Sequence, residues 1–136
     1  MGKAIRIFKD KRAITPVLSS LLLTVIAVAA MAIATSATYV ITTNMRETMS
    51  ERIAVEDVWF NNSTNSIDLY LYNVGKVAVS ISAVYINHNQ SYAGSFRLGI
   101  GDHNWLNISR SWAPQTEYYI DLVSTRGNHV PITYAT

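Results

Sequence analysis

Hydrophobic and polar positions divide this chain of 136 residues into three regimes. Up to Arg12 charged and apolar residues alternate; from Val17 to Ile41 no charged side chain occurs; beyond Ile53 the apolar positions return with a period near two. At about 1.5 Å of rise per residue the uncharged run spans about 37 Å as a helix, more than the roughly 30 Å hydrocarbon core of a bilayer. It predicts a helix of membrane-crossing length. Thr15 suits its N-cap and Pro16 its first position, where a missing N–H costs nothing. Ile41, Met45, Met49 and Ile53 then recur every four residues, with Asn44, Arg46, Glu47, Ser50 and Glu51 pointing elsewhere. That spacing extends the helix to about Glu51, its outer part free to dock on the head domain or on neighbours, with the methionine stripe serving ordinary packing.

From Ile53 the pattern predicts strands. Ala54 to Phe60 is rich in β-formers, and Ile67, Leu69 and Leu71 alternate with Asp68, Tyr70 and Tyr72. Asn73-Val74-Gly75-Lys76 reads as a turn, after which Val77, Val79 and Ile81 begin another strand. The apolar phase slips near Ala83 to Val84 and Ile86, the signature of a bulge. Tyr118, Ile120 and Leu122 form a further alternation, Arg126-Gly127-Asn128 a turn, and Val130, Ile132 and Tyr134 a last strand that Pro131 confines to a sheet edge. Between residues 87 and 116 the pattern is weaker, with strands expected near Phe96 to Leu98 and Trp105 to Ile108. The fold class expected is α+β: a long N-terminal hydrophobic helix followed by a C-terminal antiparallel β-sandwich or open barrel.

Charge changes the picture of the first regime. The chain carries a formal net charge of +2, but Lys3, Arg6, Lys9, Lys11 and Arg12 stand against Asp10 alone. The rest has six cations, Arg46, Arg52, Lys76, Arg97, Arg110 and Arg126, against eight acids, leaving about −2. A basic nucleic-acid face loses its support, and none is expected. The cations before the apolar run hold that end in the cytoplasm and send the C-terminal part across. Cysteine is absent, so the outer part relies on packing, with neither disulfides nor thiolate metal sites.

The junction Lys11-Arg12-Ala13-Ile14-Thr15-Pro16-Val17-Leu18-Ser19, followed by Leu21-Leu22-Leu23-Thr24-Val25-Ile26-Ala27-Val28, resembles the class III signal peptide of archaeal type IV pilins and archaellins. The resemblance implies a leader of residues 1–13 cut by a prepilin peptidase, with Arg12, Ala13 and Ile14 as the cleavage motif and Ile14 as the new N-terminus. Residues 14–52 then form the transmembrane or filament-core helix and residues 53–136 an extracellular β-rich head. Leu18 stands where bacterial pilins carry glutamate, so the new amine is expected to use Thr15, Ser19, Ser20 or nearby carbonyls. Looser matches to pilin-like outer domains occur at Tyr70-Leu71-Tyr72-Asn73-Val74-Gly75 and Leu122 to Asn128.

Small residues thin the middle of the helix. Ala30, Ala34 and Thr38 form a row that lets backbones approach, with Val17 and Leu21 on the packing surface nearer the start. Chemistry is sparse. His88, His103 and His129 fall in expected loops without metal-ligand spacing, although Asp102 adjoins His103; neither metal, cofactor nor catalytic group is expected. Gly99-Ile100-Gly101 reads as a turn rather than a nucleotide loop. Trp59, Trp105 and Trp112 suit the core or a sheet face, an exposed one serving adhesion. Four sequons make Asn61, Asn62, Asn89 and Asn107 candidate glycan acceptors.

The leading expectation is therefore a structural subunit of an archaeal type IV pilus-like or archaellum-like surface filament. It would be a homo-oligomer, inserted in the cytoplasmic membrane before assembly and polymerised through its helix by an assembly ATPase and platform that the resemblance implies. The alternative is a single-pass, membrane-anchored β-sandwich binding module, similar to archaellum stator proteins, that contacts the surface layer and does not polymerise.

Overall fold

The computed structural model describes residues 11–136, with side chains from Ile14 onward; the leader before Lys11 and the side chains of Arg12 and Ala13 lie outside the described residues. One helix, α1 (Lys11–Ser50), precedes seven strands: β1 (Ile53–Asn61), β2 (Ser66–Asn73), β3 (Val79–Ile86), β4 (Asn89–Leu98), β5 (His103–Ile108), β6 (Glu117–Ser124) and β7 (His129–Ala135). The chain divides into two compact units between Asn44 and Met45, so the last turns of α1 belong with the strands.

In the first unit the helix is apolar on every side. Its Ile14–Ser50 segment is long and apolar enough to cross a membrane. Leu23 and Met31 are among many large apolar side chains left exposed there, as a helix made for lipid or for other helices must leave them. Several hydroxyls inside it are satisfied by their own backbone. Ser20 donates to the Pro16 carbonyl at 3.0 Å, Thr35 to Met31 at 2.8 Å and Thr38 to Ala34 at 2.8 Å, which removes the cost of carrying them through an apolar medium. The start differs from expectation. α1 begins at Lys11, so Thr15 is not an N-cap and Pro16 lies inside the helix. A proline this near the start deprives only one carbonyl of its donor, and helix runs on either side of it.

The second unit is an antiparallel sandwich of a three-stranded sheet, β1-β2-β5, and a four-stranded sheet, β4-β3-β6-β7. The alternation that predicts β2 and β6 fills the interior: Ile67, Leu69, Leu71, Ile120 and Leu122 are buried, against Ile81, Val84, Ile86, Leu106 and Ile108. The phase slip near Ala83 is a register shift in the pairing of β3 with both of its neighbours. β7, which carries Pro131, is an edge strand. The β3–β4 hairpin turns on Asn87 and His88, both at positive φ (50° and 65°), a conformation in which glycine is the usual signal. Two of the histidines are strand residues rather than loop residues, since His103 opens β5 and His129 opens β7.

Candidate functional site

Two features of the second unit stand apart from the core. The first is a clamp between the last helical turns and the β6–β7 turn. The Glu51 side chain is only 2% exposed. Its Oε2 accepts from Ser124 Oγ (2.7 Å) and Asn128 Nδ2 (2.8 Å), and its Oε1 from Arg126 Nη1 (2.5 Å). Arg126 also reaches Glu47 at 3.1 Å, and Asn128 Nδ2 donates to the Thr48 carbonyl at 2.8 Å. The hydrogen bond that Arg126 donates to Glu51 raises its pKa above the ordinary value, so the guanidinium stays protonated.

The β2–β3 turn completes the attachment. Lys76 N–H donates to the Ser50 carbonyl at 3.1 Å, and the Val74 and Gly75 N–H groups donate to that of Arg52. These bonds occupy carbonyls that a helix end and its exit would leave open. A Cβ on Gly75 would stand 2.4 Å from the Ser50 oxygen, so this approach requires glycine. Buried Asn73 fixes the turn, donating to the Val77 carbonyl at 2.9 Å and accepting from Gly75 N–H at 3.0 Å. Met45 and Met49 are exposed, so of the two expected uses of the stripe, docking on the head is not the one seen; the polar side that carries Glu51 is the one held.

The second feature is the outer face of the three-stranded sheet. A register shift between Val55 and Asp57 points Val58 into the core and turns Trp59 outward. Trp59 is 58% exposed and Trp105 45%, far more than core tryptophans would be. Tyr70 pairs with Trp105 across β2 and β5, their rings 4.8 Å apart, and Tyr72 stacks on His103 at 3.9 Å. Asp57, Asn61 and Asp68 join the two tryptophans around an open concavity of about 430 Å³. Asp68 accepts from Asn107 Nδ2 and from Ser66 Oγ, and Asp57 from the Val58 N–H. Among the described residues neither carboxylate pairs with a lysine or arginine. The face thus offers flat apolar rings beside acceptors with capacity to spare, an arrangement suited to recognition.

The other expected site residues are distributed as follows. Val17, Leu21, Ala30, Ala34 and Thr38 are all exposed on α1. Trp112 is partly buried against Phe60, its Nε1 donating to the Asn61 carbonyl at 3.2 Å. His103 lies 3.5 Å from Glu56 and His129 2.7 Å from Asp121, while His88 stacks on Tyr119. Among the described residues no three His, Cys, Asp or Glu side chains gather as a metal-holding group.

Asn62 and Asn89 are exposed, whereas Asn107 commits its amide to Ser66 and Asp68, and Asn61 accepts from Ser63 N–H at 3.0 Å. Glycopeptide mass spectrometry on protein from its own cells is expected to find glycan at Asn62 or Asn89 ahead of Asn107. Predominant occupancy of Asn107 would contradict this ranking.

No protein-family model and no curated protein sequence matches the chain. Among solved structures it is similar to the archaellum periplasmic stator protein FlaG from Sulfolobus acidocaldarius, with a TM-score of 0.49 and 19% identity over 62% of this chain and 99% of that one. It is also similar to a chain of the archaellum periplasmic stator protein complex FlaF and FlaG from the same organism, with a TM-score of 0.46 and 19% identity over 60% of this chain and 87% of that one. Similarity at this level assigns neither partner nor activity to the present chain.

Proposed function

We propose that this protein is a single-pass membrane-anchored binding module of the stator-like kind: α1 holds it in the cytoplasmic membrane, and its β-sandwich grips the surface layer outside. It is not an enzyme. The observation that carries the reading is the exposed Trp59–Trp105 face, whose aromatic surface the core does not use. A helical polymer needs two different complementary surfaces on every subunit, whereas a module held by one outer partner needs one. The head gathers its two exposed tryptophans on a single sheet face, which suits the second design.

The row Ala30, Ala34 and Thr38 favours helix–helix contact, and this is the specific support for the filament reading. Co-sedimentation separates the two. Full-length protein in lipid nanodiscs is expected to pellet with surface layer purified from the same cells and to stay single-copy in each disc. Failure to pellet, together with growth of multi-copy rods on removal of lipid, would favour the filament subunit.

Processing after Ala13 belongs to this proposal without deciding between the two readings. Mass spectrometry of the mature chain is expected to place Ile14 at the N-terminus, and a chain that retains Arg12 and Ala13 would refute the cleavage. Ser19 and Ser20 spend their hydroxyl protons on the Thr15 and Pro16 carbonyls, which leaves their oxygens able to accept from the new ammonium.

A further inference from the structure

The sandwich is electrically lopsided. Of the six lysines and arginines in residues 45–136, only Arg110 lies far from the clamp, donating to the Ile86 carbonyl and Ser91 Oγ. The other five are on the last helical turns, the chain that leaves them, the β2–β3 turn, the end of β4 and the β6–β7 turn. Backbone bonds tie these pieces into one end of the sandwich: Lys76 N–H to Ser50, Gly101 N–H to Asn73 and Thr125 N–H to Ser80.

Glu47 and Glu51 both pair with Arg126, leaving that trio at −1, and Glu47 lines the same concavity as Arg126. Arg52, Lys76 and Arg97 are exposed, and none is in an ion pair among the described residues. Asp102 follows Ile100 by two residues in the β4–β5 turn, and it accepts from the Gly99 N–H at 3.0 Å. Lys76, Arg97 and Arg126 line a common concavity with Ile100, which is 63% exposed at the tip of the β4–β5 turn. Val74, 43% exposed, projects from the adjoining β2–β3 turn. Two apolar tips flanked by unpaired cations form the pattern of a protein surface that rests in a lipid headgroup layer.

We infer that this end of the β-sandwich docks on the anionic headgroups of the membrane that α1 crosses, with Ile100 and Val74 entering the interface and Arg52, Lys76 and Arg97 meeting phosphate. Chain connectivity supplies the occupant. The unit that carries this surface begins at Met45, four residues beyond the apolar run that ends at Ile41, so lipid is the first partner within reach of its cations. Charge complementarity commits the surface to anionic lipid, each cation near such a surface raising its occupancy about fivefold. The inference rests on the membrane anchoring proposed above and not on the tryptophan face.

The absence of cysteine makes the test direct. An environment-sensitive fluorophore is placed on Ile100→Cys, or on Asn89→Cys at the start of β4 as control, in full-length protein reconstituted into nanodiscs. In discs containing phosphatidylglycerol the label at 100 is expected to shift to the blue and to be quenched by lipid-borne nitroxide but not by aqueous iodide. In pure phosphatidylcholine discs, or with Lys76→Glu and Arg97→Glu added, protection from iodide is expected to fall at least tenfold. Hydrogen exchange of the unlabelled chain at residues 74–76 and 99–102 is expected to follow the same order. A label at 100 as open to iodide as one at 89 in both lipids, or equal protection in both, would overturn the inference. Failure of the chain to co-elute with discs would instead overturn the anchoring beneath it.

Discussion

Replacing Trp59 and Trp105 together with alanine is expected to weaken binding of the full-length protein to purified surface layer by about a hundredfold or more, without lowering its unfolding temperature. Tryptophan anchors at the centre of an interface commonly contribute more than about 2 kcal/mol each when truncated. Both rings lie outside the core, Trp59 at 58% and Trp105 at 45% exposure, so their loss removes little apolar burial from the folded head. Trp105 also touches Tyr70, and an exposed ring contact of this kind is worth about 1 kcal/mol or less. Binding and stability should therefore separate. Sedimentation of graded nanodisc concentrations measures the first, and loss of the β-sheet circular dichroism signal on heating measures the second. Unchanged binding would remove the face from the function, and a parallel fall in both would assign the rings to structure alone.

The second large effect belongs to the clamp. Glu51→Leu is expected to destabilise the head by about 2 kcal/mol, seen as a fall of roughly 10 °C in the unfolding midpoint. Removal of one partner from a buried ion pair usually costs about 3–5 kcal/mol, because the other is left unpaired. Here the Arg126 side chain is 34% exposed, so water recovers part of that loss. Ser124 and Asn128 also lose their acceptor. Glu51→Gln keeps one acceptor oxygen and the shape, so its midpoint should lie between those of the leucine variant and the parent. A leucine variant that melts within about 2 °C of the parent would show the clamp to be incidental.

The reach of these bonds explains what the sequence could and could not disclose. Arg126 meets Glu51 across 75 positions, and no local period reports a partner so distant. Helical spacing set the methionines apart from the charges, as the structure does, but it gave no sign that the polar side is the one held by the head. Within the sheets the outcome was better. β2 from Ile67 onward and β6 throughout alternate between buried and more open positions, and their inward residues were legible because a period of two leaves no other assignment. β4 begins with Asn89, Gln90 and Ser91 and contains Gly94, so it lacked an apolar face by which to be recognised. The turn before it uses Asn87 and His88 where glycine is the ordinary signal.

The same limit applies to the tryptophans. Whether Trp59 faces core or solvent depends on the register shift at Val55 and Asp57, which inverts the phase of everything after it. The polar pair Glu56-Asp57 between Val55 and Val58 marks that slip, but Val58, Trp59 and Phe60 are all apolar, so either phase fits the stretch after it. The pairing of β2 with β5 rather than with β3 brings Tyr70 beside Trp105, and the aromatic face exists only once that non-sequential pairing is made. Its residue types were legible; their assembly was not.

Separation of sheared surface appendages from washed membranes, with both probed for this chain and imaged, tests the central claim most directly. A membrane-anchored module predicts that the protein stays with the membrane and its attached surface layer, leaving the sheared filaments without it. Filaments built from this chain as their main subunit would contradict that account.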